Sequence, residues 1–97
     1  MILIMSLKER IEADIKKAML AKNKDELRAL RAIKSMILLA QSEKGASENL
    51  SADSELKILQ KQVKQRKDSA AIFMQQGRED LAAPELAEAK VISQFSI

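Results

Sequence analysis

The chain has 97 residues, which fits a single domain; 46% are hydrophobic, 32% are charged and only two are glycines, a composition typical of a folded, helix-rich protein. It contains no histidine and no cysteine, which excludes histidine acid/base relays, thiolate nucleophiles, zinc fingers, iron–sulfur ligation and disulfides. The formal net charge of +3 is too small by itself to identify a nucleic-acid-binding protein, so the placement of the charges matters more than their sum.

The first predicted element is a helix over about residues 7–22. Ser6 and Glu9 have the spacing of a capping box, in which the serine hydroxyl accepts a hydrogen bond from the third helical amide. The apolar residues that follow recur at spacings of three and four, as they do on one face of a helix. They are Leu7, Ile11, Ile15, Ala18 and Met19.

The second predicted helix covers about residues 24–43. Asn23 and Glu26 repeat the capping-box spacing at its start, and Gly45 is predicted to end it. Most of its circumference is apolar, which indicates a helix at the centre of a bundle. The rest carries a strip of basic side chains with no acidic residue between Leu27 and Ser42. We call this strip the first basic stripe; it consists of Arg28, Arg31 and Lys34.

Unbalanced positive charge on a mostly buried helix requires a partner. Two interpretations of the first basic stripe stay open at this point. The partner is either an RNA backbone or a set of acidic side chains from the first and fourth helices.

The third predicted helix, over about residues 52–76, begins after the N-cap Ser51 and ends before Gly77. Four lysines follow one another along it, three of them on one face. We call them the second basic stripe: Lys57, Lys61, Lys64 and Lys67. They are either phosphate contacts or an ordinary solvated helix face.

Arg66 falls within the apolar arc of the third helix, where an unpaired charge would cost several kcal/mol. We therefore predict a structural ion pair rather than a catalytic role. The expected partner is a carboxylate from the turn after this helix or from the first two helices, with Asp80 as the first choice.

The fourth predicted helix covers about residues 84–94, with Pro84 in its first turn and Leu86, Ala89 and Ile92 on its apolar side. Four helices joined by short loops predict an all-α fold, an antiparallel four-helix bundle in a single domain over residues 1–97.

The sequence offers no catalytic constellation, so we expect no enzymatic activity, no metal and no cofactor. Asp14 and Asp68 are isolated helix carboxylates, and Ser69 has no base to activate it. No apolar run approaches the ~20 residues of a membrane span, and Met1 to Met5 are too short for a signal peptide. These observations predict a cytoplasmic protein without membrane contact.

Several segments resemble the YqeY family over nearly the whole chain from Met5. The more general ones are Ser6-Leu7-Lys8-Glu9-Arg10-Ile11 and Leu27-Arg28-Ala29-Leu30-Arg31-Ala32-Ile33-Lys34. The specific ones are Lys64-Gln65-Arg66-Lys67-Asp68-Ser69 and Gly77-Arg78-Glu79-Asp80-Leu81. YqeY proteins are similar to the tail domain of GatB, a subunit of the tRNA-dependent amidotransferase.

The resemblance implies a helper module for tRNA. The family label is that of a carbon–nitrogen ligase with glutamine as amido-N-donor, and the implied partners are tRNA and amidotransferase or aminoacyl-tRNA synthetase proteins. The family continues into a smaller C-terminal helical domain, which we expect to be absent here. Met5 resembles the usual family start, so Met1 to Ile4 are expected to be an upstream extension.

The leading hypothesis is a non-catalytic helical module that binds tRNA or an amidotransferase-like partner through the two basic stripes. The alternative is a protein-interaction or self-associating bundle without a nucleic-acid role, in which the basic residues only keep the protein soluble.

Overall fold

A computed structural model describes residues 6–44 and 50–95, which form four helices. They are α1 (Leu7–Ala21), α2 (Lys24–Lys44), α3 (Ala52–Gln75) and α4 (Glu79–Ser93). Neither range contains a strand, and the predicted all-α class is confirmed. The predictions for Met1 to Ile4, and for Gly45 as the end of α2, fall outside the described residues.

The first two helices begin at the predicted caps. Ser6 has extended backbone angles, and its hydroxyl oxygen accepts a hydrogen bond of 3.2 Å from the Glu9 amide. Asn23 caps α2 in the same way, accepting from the Glu26 amide at 3.2 Å while its side-chain amide donates to Glu26 Oε2 at 2.9 Å. Between the two helices Lys22 adopts the left-handed conformation, with φ of 57°, so the chain reverses within two residues.

A tight corner joins α3 to α4. Gly77 has a φ of +72°, a backbone angle that favours glycine, and the Arg78 amide donates to the Phe73 carbonyl at 2.8 Å. The helix α4 then starts at Glu79, not at Pro84 as the sequence predicted. The Leu81 and Ala82 amides already donate to the Arg78 carbonyl, each at 3.1 Å, so the first helical turn forms before the proline.

The core is centred on α2, as its largely apolar circumference predicted, although Leu38 and Leu39 of this helix are exposed. Ala29, Leu30, Ile33 and Ile37 of this helix are buried. They contact core residues from all the other helices, together with Phe95 just after α4. These are Ile11 and Ala18 of α1, Leu59 of α3 and Ile92 of α4. Since α1 packs mainly on α2, and α4 packs on both α2 and α3, the fourth helix is the one that holds the two halves of the bundle together.

Several apolar side chains that were predicted to face the core are instead exposed, among them Leu39 of α2, which is 54% exposed. Met19 of α1 is 54% exposed and Leu86 of α4 is 48% exposed. For Leu86 the reason is the buried arc of α4, which runs through Ala82, Ala89 and Ile92 and leaves Leu86 on the outer side.

None of the helices in the described ranges is both long enough and apolar enough to cross a membrane. Within the same ranges, no three acidic side chains come close enough together to hold a metal ion.

Candidate nucleic-acid interface

The second basic stripe lies on the outer surface of α3, and all four of its lysines are exposed. Lys64 Nζ pairs with Asp68 Oδ2 at 2.7 Å, one helical turn further on. Among the residues that the structure describes, no carboxylate lies within 4.0 Å of Lys57, Lys61 or Lys67. From first to last the stripe extends along the helix for about 15 Å, at 1.5 Å per residue.

One end of this stripe borders a groove between α3 and α4. Lys64 and Lys67 line it together with Gln60, Val63, the acidic Asp68 and, from α4, Ser93, around a volume of about 330 Å³. At ~30 Å³ per water molecule, this space has room for a phosphate group and part of its sugar. The ammonium group of Lys67 can contact an oxyanion beside this groove as a mobile point charge, whereas that of Lys64 is paired with the Asp68 carboxylate.

The first basic stripe is more neutralised than the second. Arg28 pairs with Asp25 of its own helix, and its Nε lies 3.7 Å from Glu88 Oε1 of α4. Lys34 Nζ lies 3.8 Å from Glu12 Oε1 of α1. Two of the three basic side chains therefore have acidic neighbours from the first and fourth helices, which was one of the two interpretations left open. Arg31 is exposed, with no carboxylate within 4.0 Å in the described ranges.

Asp80 is not the partner of Arg66, so this prediction is wrong. The Asp80 carboxylate accepts from Arg78 instead, through Nε at 3.0 Å and Nη2 at 2.9 Å. This hydrogen bond lowers the pKa of Asp80, and the same bond raises the pKa of Arg78. Arg66 lies eleven residues before Gly77, which is about 16 Å along α3 at 1.5 Å per residue. Asp80 follows Gly77 at the start of α4, so it lies at the far end of α3 from Arg66.

The carboxylate that faces Arg66 belongs to Glu88, whose Oε1 lies 3.9 Å from Arg66 Nε. The guanidinium is also held on its own helix, where Nη1 donates to Gln62 Oε1 at 2.6 Å and to the Gln62 carbonyl at 3.2 Å. Arg66 Nε itself is buried without a hydrogen-bond acceptor among the described residues. The predicted structural role of Arg66 thus involves a different carboxylate.

Glu88 lies between two arginines from two other helices, Arg28 of α2 and Arg66 of α3; we call these three residues the Glu88 cluster. Desolvation by burial raises the pKa of Glu88 above its ordinary value of 4.5, although the positive charges of Arg66 and Arg28 oppose the rise. Glu85 and Asp25 add a smaller rise by like-charge repulsion. The cluster links α2, α3 and α4 with a carboxylate that is only 7% exposed.

Two of these structural residues, Gln62 and Glu88, were missed by reasoning from the sequence. The signal for Glu88 lies in the hairpin formed by α3 and α4. Arg66 and Glu88 are each eleven residues from Gly77, so the two positions lie side by side when α4 runs back along α3. Finding this pair required the correct start of α4, which the sequence interpretation placed too late.

Known proteins are similar to this chain in sequence. A family model described as Yqey-like protein matches residues 8–96. The chain is similar to "Altered inheritance of mitochondria protein 41, mitochondrial" of Clavispora lusitaniae, with 41% identity over 85 residues, 88% of this chain and 48% of the relative. The protein of the same name from Pyrenophora tritici-repentis is 36% identical over 88 residues, 90% of this chain and 47% of the relative.

The chain thus spans about half the length of the curated relatives it matches. Both relatives are named as mitochondrial proteins, and this finding overturns the expectation of a cytoplasmic location.

Proposed function

Because this chain belongs to the YqeY family, we propose that it is a helical RNA-binding module that contacts the phosphate backbone of a tRNA through the exposed lysines of α3. The resemblance read from the sequence motifs is confirmed at the level of the family. The names of the two relatives support a mitochondrial location for this module.

The single observation that carries the proposal is the state of the second basic stripe. Three of its ammonium groups are exposed and have no carboxylate within 4.0 Å among the described residues, over a distance of about 15 Å. Lysines on an ordinary solvated helix often have acidic partners three or four residues away, as Lys64 has in Asp68. Lys61 and Lys67 have no acidic residue at such a spacing, and the ammonium group of Lys57 is not within 4.0 Å of Asp53, the acidic residue four positions before it. Cations without a nearby carboxylate can exchange their counterions for phosphates at little cost.

Contact with RNA by this surface is electrostatic. The only two aromatic residues of the chain are Phe73 and Phe95. Phe95 is buried below the guanidinium of Arg10 and is not available for stacking on a base. The module therefore recognises the RNA by its backbone and shape, and sequence preference has to come from elsewhere.

The reaction to which such a module contributes is, on our proposal, the glutamine-dependent amidation of a charged tRNA by an amidotransferase-like partner. The family resemblance supports this class of reaction. The partner supplies the catalytic groups, and the module adds affinity for the tRNA that both proteins share.

Filter binding of tRNA tests the proposal. The wild-type protein is compared at about 50 mM and about 200 mM salt with the double variant Lys61→Glu, Lys67→Glu, which changes two lysines that have no carboxylate within 4.0 Å among the described residues. We expect tRNA affinity to fall steeply with salt, and the variant to lower the slope of log affinity against log salt by about 1.4–1.8, which is two contacts at roughly 0.7–0.9 each. At the lower salt concentration the variant should bind at least about tenfold more weakly.

The matched control is Lys8→Glu with Lys17→Glu, which changes the net charge by the same amount on α1. It should weaken binding by less than about threefold, because those lysines lie outside the stripe. Absence of wild-type binding at the lower salt concentration, or an equal loss in the control, would reject the α3 interface.

A further inference from the structure

We propose that the outer surface of the α1–α2 hairpin is a docking site for an amphipathic, acidic helix of a partner protein. We call this surface the α1–α2 corner; it is formed by Met19, Leu20, Lys22, Lys24, Leu27 and Arg31. The inference concerns a protein partner and a different face of the bundle from the α3 stripe, so it stands or falls independently of the proposed RNA contact.

Adjoining grooves make the corner continuous. One groove of about 300 Å³ lies along α2 between Lys24 and Arg31, and a second of the same volume shares both residues and Leu27 while it extends across to Met19. A third groove, also about 300 Å³, continues from Met19 to Leu20 on α1. The corner can therefore accept several side chains of one partner segment in succession.

The floor of the corner is apolar. Met19 is 54% exposed and Leu20 is 86% exposed, although both lie in the last turns of a regular helix. Leu27, only partly buried, continues this apolar surface on α2. Flexible methionine next to leucine forms an adaptable apolar surface of the kind that binds amphipathic helices.

The rim of the corner is positively charged. The apolar floor is surrounded by three cations of the corner, Lys22, Lys24 and Arg31, and by the neighbouring Lys16. In the described parts of the chain, none of these cations has a carboxylate within 4.0 Å. The acidic residues at the start of α2 are already engaged. Asp25 pairs with Arg28, and Glu26 is bonded to Asn23 in the helix cap. An acidic partner would supply the negative charge that this rim lacks.

Charge and shape together select the occupant. A second copy of this chain would bring the same cations against one another, and the chain as a whole is positive. RNA would pair with the rim but would leave Met19 and Leu20 uncovered, since no aromatic side chain is present at the corner for stacking. A flat lipid surface would cover the highly exposed Leu20 but would leave the grooves beside Met19 and Leu27 unfilled.

An acidic amphipathic helix meets both requirements. Lys24, Leu27 and Arg31 are spaced i, i+3 and i+7 on one face of α2, over about 10 Å or two helical turns. A partner helix with leucines at i, i+3, i+4 and i+7 presents an apolar stripe of the same length. Glutamates that flank this stripe would lie opposite the cations of the rim.

The test uses the full chain and a fluorescein-labelled synthetic peptide of about 15 residues, long enough to form a helix on a surface, with that leucine spacing and flanking glutamates. Two comparison peptides carry the same residues in scrambled order, or lysine in place of glutamate. The protein variant is Met19→Gln with Leu20→Gln, which removes apolar surface without changing charge or helix propensity appreciably. Fluorescence anisotropy gives the affinities, and amide chemical shifts locate the binding.

We expect the leucine–glutamate peptide to bind at the corner, shift the amides of α1 and α2, and lose at least about tenfold in affinity for the variant. Affinity for tRNA should be the same in the variant and the wild type, and Lys61→Glu with Lys67→Glu should leave the peptide affinity within about twofold. This pattern separates failure of the corner from failure of the α3 interface.

Several results would overturn the inference: equal binding of all three peptides, no shifts at α1 and α2, or an unchanged affinity in the variant. A wild-type dimer in sedimentation that the variant converts to monomer would assign the corner to a second copy of the chain. Binding to anionic vesicles that the variant abolishes, without peptide binding, would assign it to a membrane.

Discussion

At the scale of single residues, Glu88 is the carboxylate whose environment differs most from water. It is 7% exposed and lies near two arginines, but Arg28 Nε and Arg66 Nε are 3.7 Å and 3.9 Å from its Oε1, beyond hydrogen-bond distance. Desolvation therefore exceeds the attraction of the two positive charges, and the pKa of Glu88 is raised. We therefore expect the cluster to contribute little net stability to the fold.

The raised pKa of Glu88 predicts how stability depends on pH. Between pH 4.5 and the raised pKa, the folded state binds more protons at this carboxyl than the unfolded state does, so the free energy of unfolding falls as pH rises through this window. The variant Glu88→Gln lacks this titratable carboxyl group. We expect the stability of the variant relative to wild type to increase from about pH 4 to about pH 7, measured by urea unfolding at both pH values.

Arg66→Met provides the control for this prediction. Loss of the guanidinium removes the larger of the two charge effects that oppose the rise in the pKa of Glu88. The free energy of unfolding of Arg66→Met should therefore fall more steeply over the same pH window than that of wild type. Parallel pH profiles for the wild type and Glu88→Gln would contradict the burial of an ionised carboxylate at this position.

At the scale of the helices, local signals that act within four residues were readable from the sequence. Both helix caps predicted from residue spacing form in the structure. Ser6 accepts from the Glu9 amide, and Asn23 accepts from the Glu26 amide. Pro84 misled the interpretation because a proline is common in the first turn of a helix. It lies inside α4, whose earlier start depends on the left-handed turn at Gly77 and on the packing of α4 against α3 and α2.

Pro84 therefore destabilises the helix that contains it. Its ring nitrogen cannot donate to the Asp80 carbonyl four residues earlier, and in a helix interior proline is about 3 kcal/mol less favourable than alanine. The lower entropy of the unfolded proline chain offsets up to ~1 kcal/mol of this cost. We expect Pro84→Ala to raise the free energy of unfolding by about 2 kcal/mol, measured by denaturant unfolding.

Lys90→Ala, at an exposed position of the same helix, should change the free energy of unfolding by less than about 0.5 kcal/mol. A loss of stability in Pro84→Ala would instead mean that the ring, which is half-buried, packs in a way that outweighs the missing hydrogen bond.

At the scale of the whole molecule, the sequence predicted the central position of α2 but not the pairing of charges between helices. A helix that is apolar almost all round can be stable in water only when others surround it, and Leu30, Ile33 and Ile37 are buried accordingly. The partners of Arg28, Lys34 and Arg66 depend on which helix faces which and at what register. That information comes from the turn at Gly77 and the whole bundle, and the spacing within one helix does not contain it.

The bundle is closed by Phe95, which connects the end of α4 to the first helix. Its ring is 9% exposed in the common core, and the Arg10 guanidinium of α1 lies over it at 4.9 Å from the ring centroid. Since α1 otherwise packs mainly on α2, Phe95 is one link between the two ends of the described chain, together with Ile92, which shares the core with Ile11. Phe95→Ala should lower the free energy of unfolding by about 3 kcal/mol, with the largest loss of amide exchange protection in α1.

Arg10→Ala, which removes only the exposed cation, should lower the free energy of unfolding by about 0.5–1 kcal/mol. An equal loss of protection along all four helices in Phe95→Ala would mean that α1 does not depend on this contact separately from the rest of the bundle.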